Sequence, residues 1–169
     1  MSYRNSLLTG ILVTGSLGGM FAQSNSTPTP LPKFTELSKD DSRRLEQQRA
    51  VVAAAARRSG VSSLTRTKAD LPIIQRLIDN KVFAKTQTYE LQCLGVAFGD
   101  VLASELPLRW VMVTDEYGTD PTLRFKGTSF QINALTMISK RVERDEQVDV
   151  SGLLRTTREQ LAKIQPTLQ

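Results

Sequence analysis

The sequence predicts an α+β fold: N-terminal helices, a small antiparallel three-stranded meander, then C-terminal helices. Three observations carry this. Apolar residues recur at helical spacing in an early and a late block of the chain, and between them the period drops to two. The connections inside that middle block are also too short for anything but antiparallel pairing.

The first helix is expected over Lys39–Arg58. Ser38 and Asp41 form a capping pair, Asp40 suits the positive helix end, and Arg57 and Arg58 suit the negative end before Gly60 stops the helix. Leu45, Val52, Ala55 and Ala56 give it a thin apolar stripe. A second helix is expected over Leu71–Asn80, with Asp70 as its cap and Pro72 in its first turn, and Ile74, Leu77 and Ile78 on one face. The third, Thr88–Leu106, carries Leu91, Leu94, Phe98, Val101 and Leu102, widened by Cys93 and Ala97, so it reads as the central helix. Gly95 and Gly99 lie four apart on it; each costs about 1 kcal/mol against Ala, so a close approach is expected there.

Arg109–Thr114 reads as a strand apolar on both faces, Thr122–Phe125 as its return and Ser129–Ile132 as a third short strand. Trp110 is expected in the core, and Arg109 and Arg124 across from each other or from Asp115. Helices over Ala134–Arg144 and from Ser151, as cap, to Ile164 close the chain.

Ahead of this domain, residues 1–22 have the form of a cleavable export signal: Arg4 in a short polar start, an uncharged stretch Leu7–Phe21, and Ala22 at the break. A spanning helix needs about 20 mostly apolar residues; this run is shorter and holds Gly10, Gly15, Gly18 and Gly19, so no stable anchor is expected after cleavage. It is expected as a helix that packs poorly on the rest. A lipoprotein would need a cysteine at the break, and the only one is Cys93. Residues 23–37, with Pro28, Pro30 and Pro32, read as a flexible leader, and residues 38–169 as a single α+β domain. Without residues 1–22, 21 basic face 17 acidic residues, a net charge of +4.

That mild charge argues against nucleic acid, as does the lack of aromatics among Arg43, Arg44, Arg49, Arg57, Arg58, Arg66 and Lys68. With no histidine, Ser-His and Cys-His nucleophiles and His-containing metal sites are excluded. Cys93, on an apolar helix face, reads as a small buried hydrophobe. No cofactor or metal is expected. The remaining candidate is the turn Asp115, Glu116, Tyr117, Gly118, Thr119 and Asp120, whose three carboxylates cluster at a hairpin tip. Turn chemistry accounts for each residue type there; contact with a partner, and carboxylate catalysis or a metal, are the functional readings.

Leu94-Gly95-Val96-Ala97-Phe98-Gly99-Asp100, the run Leu108–Asp120 and Ile138-Ser139-Lys140-Arg141-Val142 together resemble a bacterial domain-of-unknown-function family, DUF3806, over about residues 71–154. The resemblance implies bacterial origin and an α+β domain, and brings no catalytic residues. The expected function is that of an exported, non-enzymatic binding protein of the periplasm or beyond, with a protein partner. Its sharpest form is an immunity protein against a periplasm-acting toxin or hydrolase. A hydrolase using the acids of residues 115–120 and an envelope structural or assembly factor are the alternatives.

Overall fold

The structure, a computed structural model, describes residues 31–61 and 63–164. The expected export signal, its Leu7–Phe21 helix and residues 23–30 of the expected leader lie outside the described residues. The elements run β1 (Lys33–Thr35), α1 (Lys39–Arg58), a 3-10 turn (Lys68–Asp70), α2 (Leu71–Asp79), α3 (Thr88–Glu105), β2 (Leu108–Asp115), β3 (Gly118–Phe125), β4 (Gln131–Ile132), α4 (Ala134–Glu143) and α5 (Val150–Ile164).

The α+β class holds, but the sheet has four strands rather than three, antiparallel in the order β1-β2-β3-β4. The added strand lies just after the prolines of the expected leader. Phe34 sits opposite Val113, and the Arg124 guanidinium stacks on its ring 4.0 Å from the centroid. One aromatic thus gives three residues enough to pair on, and Pro32 falls before the strand, where no ladder hydrogen bond is lost. β3 is longer than expected because its pairing continues to the turn, and β4 is shorter. Thr128 accounts for the shortening: its carbonyl accepts from Arg124 Nε and its hydroxyl from Phe130 N–H, so the approach to β4 is a turn.

Helix α3 is the centre of the fold. Every residue from Cys93 to Leu102 is buried, and Phe98, Val101 and Leu102 have no exposed surface. Removing a side chain such as Phe98 from water contributes about 1.5–3 kcal/mol. The two glycines explain how α3 is enclosed: a Cβ on Gly95 would lie 2.5 Å from the carbonyl oxygens of Ala134 and Leu135, and one on Gly99 would enter the Trp110 ring. Gly95 therefore admits the start of α4, and Gly99 admits the indole from β2. Trp110 is half-buried and packs against the core.

The expected capping box of α1 forms: Ser38 Oγ accepts from Asp41 N–H at 3.1 Å, and Asp41 Oδ2 accepts from Ser38 N–H at 3.0 Å. Two other caps differ from expectation. Asp70 does not cap α2. Buried to 2 % exposure, it accepts from the Thr65 and Arg66 backbone N–H groups and the Thr65 hydroxyl, pinning the preceding loop. Asp149, not Ser151, caps α5, accepting from Gly152 N–H at 2.9 Å. The Gln75 amide ties α2 to the start of α5, donating to Val148 O at 2.9 Å and accepting from Val150 N–H at 3.1 Å.

Candidate functional site

The six sequence candidates stand together at the end of the β2–β3 hairpin, in a tighter arrangement than a six-residue turn. Pairing runs through Val113↔Asp120 and Thr114↔Thr119 to Asp115↔Gly118, which leaves Glu116 and Tyr117 as a two-residue connection. Its geometry follows from local chemistry. Asp115 Oδ1 accepts from Tyr117 N–H at 2.9 Å, Gly118 takes φ +133°, and the Thr114 and Thr119 hydroxyls bond each other across the strands at 2.9 Å.

Tyr117 is 87 % exposed, an aromatic ring held out in solvent at the apex. The charge of Glu116, foremost, and that of Asp115 push its phenol above the ordinary value of 10.0. Glu116 is exposed beside it, and Asp115 and Asp120 lie on one face of the hairpin while Thr119 lies on the other.

Two grooves flank the hairpin. On the outer face of the sheet a groove of about 480 Å³ is lined by Val113, Asp115, Asp120, Thr122, Gln131 and Lys140. Gln131 Oε1 is buried there without a hydrogen-bond partner among the described residues. On the opposite side Thr119, Asp120 and Pro121 border a groove of about 330 Å³ that reaches between α1 and α3 and includes Gln48 and Gln92. Among the described residues no three Cys, Asp or Glu side chains are grouped to hold a metal ion.

Arg109 and Arg124 do sit directly opposite each other. Each has its own compensation: Arg109 pairs with Glu36 at 2.7 Å, and Arg124 lies on Phe34. Within the early basic cluster Arg43 pairs with Asp40, Arg44 with Asp41 and Arg66 with Glu46, each of these guanidinium groups being solvated. Arg49 is different. It is 16 % exposed and grips Asp100 on α3 through Nε at 2.6 Å and Nη2 at 2.7 Å. Cys93 has no exposed surface, and burial pushes its thiol up to about 11, with the Tyr89 hydroxyl a smaller opposing influence.

Two features escaped the sequence reading. The Arg49–Asp100 pair spans 51 positions and leaves no local signal. Gln48 did leave one: it occupies the place in the α1 stripe between Leu45 and Val52 where an apolar residue belongs, and it is buried.

No curated protein matches the chain in sequence. The fold is similar to a crystal structure from Bacteroides thetaiotaomicron VPI-5482, at a TM-score of 0.70 and 14 % identity, covering 78 % of this chain and 49 % of that one. The chain thus spans about half the length of that neighbour, and at this identity the likeness is one of fold. Residues 70–153, from the residue before α2 into α5, match the family described as a domain of unknown function, DUF3806, and over that span the chain resembles it.

Proposed function

We propose that the protein is an exported, non-enzymatic binding protein of the bacterial envelope that presents the tip of its β2–β3 hairpin to a protein partner. In its sharpest form it is an immunity protein that neutralises a toxin or hydrolase acting in the periplasm. The observation that carries this reading is Tyr117, 87 % exposed on a tight turn directly after Asp115 and Glu116. A tyrosine fixed on a rigid turn offers a large contact area at little entropic cost, and such residues dominate binding energy when a partner buries them. The preceding carboxylates, Asp115 and Glu116, suit a cationic surface on the partner. The signal-like residues 1–22 supply the address.

The hydrolase alternative needs two carboxylates set across a substrate cleft. Glu116 stands at the exposed apex, and Asp115 is already bonded to the turn backbone. A structural or assembly role would call for a broad exposed apolar patch. Leu31, Tyr89 and Tyr117 are the large hydrophobic residues exposed among the described ones, and they form no support for it.

Affinity capture from envelope extract tests the proposal, with the wild-type chain beside a variant carrying Glu116→Ser and Tyr117→Ser. A partner captured by the wild type and lost by the variant is the expected result. Retention of every partner by the variant would overturn the tip assignment.

A further inference from the structure

We propose that the groove between α1, the start of α3 and the inner side of the hairpin binds an N-acetylated hexosamine unit. This site is separate from the hairpin apex and does not depend on the tip reading.

The starting point is Gln48. It is 9 % exposed, lines the groove, and its carboxamide makes no hydrogen bond to any described residue. Its oxygen and nitrogen open onto the groove, so a ligand there can supply the partners that the described residues do not. The groove is where a partner can reach it. Gln92, half-buried on α3, and Gln47, exposed on α1, also line it, and neither side chain is bonded within the described residues. Three free carboxamides therefore converge on one space of about 330 Å³. That is the lower range of small-molecule sites and accommodates about one substituted sugar ring.

The rest of the lining narrows the ligand. Leu45, Met112 and Leu135, exposed by 1 %, 6 % and 8 %, give apolar surface beside Gln48. An acetamido group carries one N–H, one carbonyl and one methyl. Gln48 both donates and accepts, so it can pair with the first two while the methyl meets the apolar surface. Sugar hydroxyls, each donor and acceptor, match Gln47 and Gln92. Tyr89, 52 % exposed, offers a ring for the C–H face of the sugar. Of the charged residues at the rim, Asp41 and Arg44 are paired with each other, and Asp120 adds an exposed carboxylate that can accept from sugar hydroxyls and disfavours an anion. Pro121, on the hairpin side, has no N–H for a peptide strand to pair with.

The test is a titration of the full chain followed through the side-chain amide signals of its glutamines. N-acetylglucosamine is added to about 50 mM, a range that captures millimolar affinity. Glucose, glucosamine and an acetylated, amidated trialanine serve as comparison ligands. Saturable shifts at Gln48 and Gln92 with N-acetylglucosamine, and affinity weaker by about tenfold or more for glucose, are expected. Gln48→Leu, which completes the apolar stripe, should abolish the saturable shift at Gln92 while the melting temperature holds or rises. Gln92→Ala, at a half-buried position, should weaken binding in the same way and serves if Gln48→Leu does not fold. The proposal is overturned by the absence of saturable shifts at Gln48, by a folded Gln48→Leu variant that still binds, or by tighter binding of the trialanine peptide, which would make the groove a peptide site.

Discussion

Trp110 donates its indole N–H to Asp100 Oδ1 across 2.9 Å, tying β2 to the middle of α3. The same carboxylate holds the Arg49 guanidinium of α1, so a single buried acid joins three elements. That acid, foremost by its hydrogen bond, raises the Arg49 pKa further above its ordinary value, so the cation persists. Removing one member of such a pair strands the other charge. Asp100→Leu should cost about 3–5 kcal/mol in urea unfolding, and Arg49→Leu combined with Asp100→Leu should cost less than Asp100→Leu alone. A loss within about 0.5 kcal/mol for Asp100→Leu would remove the network from the account of stability.

Gly95 and Gly99 make a second, independent prediction. Ala is the better helix former by about 1 kcal/mol, yet the added methyl meets rigid neighbours at both sites. Gly95→Ala should destabilise by about 1–3 kcal/mol or more, because backbone carbonyls of α4 must retreat. Gly99→Ala should cost somewhat less and should also shift the tryptophan fluorescence, since the Trp110 ring is what moves. Stabilisation by Gly95→Ala would contradict the close approach of α3 and α4.

The Cys93 thiol gives a pH signature. Its folded pKa, about 11, lies above the ordinary 9.0, so the folded state holds its proton more tightly than the unfolded state. The resulting stability is complete below pH 9 and is lost as pH rises towards 11. Chemical unfolding followed between pH 8 and 11 should show a steeper decline for the wild type than for Cys93→Ala. In native buffer at pH 8, iodoacetamide should modify the thiol only as fast as the protein opens. Parallel pH curves and rapid native alkylation would both place the thiol at the surface.

What could be read from the sequence follows the range of each signal. The α3 stripe, the Ser38–Asp41 capping box and the period change at β2 are local, and all appear in the structure where the residues placed them. The Gly95 and Gly99 spacing signalled a close approach but not its partners, which come from β2 and α4. β1 was hidden because three prolines dominate its neighbourhood, and its pairing depends on Phe34 meeting Arg124, 90 positions away. The hairpin residues were identified as a group, yet their division between apex, outer groove and inner groove depends on the pairing register. Gln48 was legible as an interruption of an apolar stripe, but its meaning appears only once the groove beside it is seen.

Stability and contact should separate at the tip. Glu116→Ser and Tyr117→Ser remove exposed side chains and should change the unfolding free energy by no more than about 0.5 kcal/mol. Gly118→Ala, at φ +133°, forces a side chain into strained backbone and should cost about 1–2 kcal/mol. A large stability loss for Tyr117→Ser would mean that the ring packs on the domain rather than awaiting a partner.

The central claim, that the hairpin tip is the contact surface, is tested most directly by cross-linking in living cells. A photo-reactive amino acid is placed at position 117 in one variant and in place of the exposed Arg155 of α5 in another. A discrete protein adduct from position 117, formed in the cell envelope, is expected, and none from position 155. No adduct at 117, or the same adduct at both positions, would contradict it.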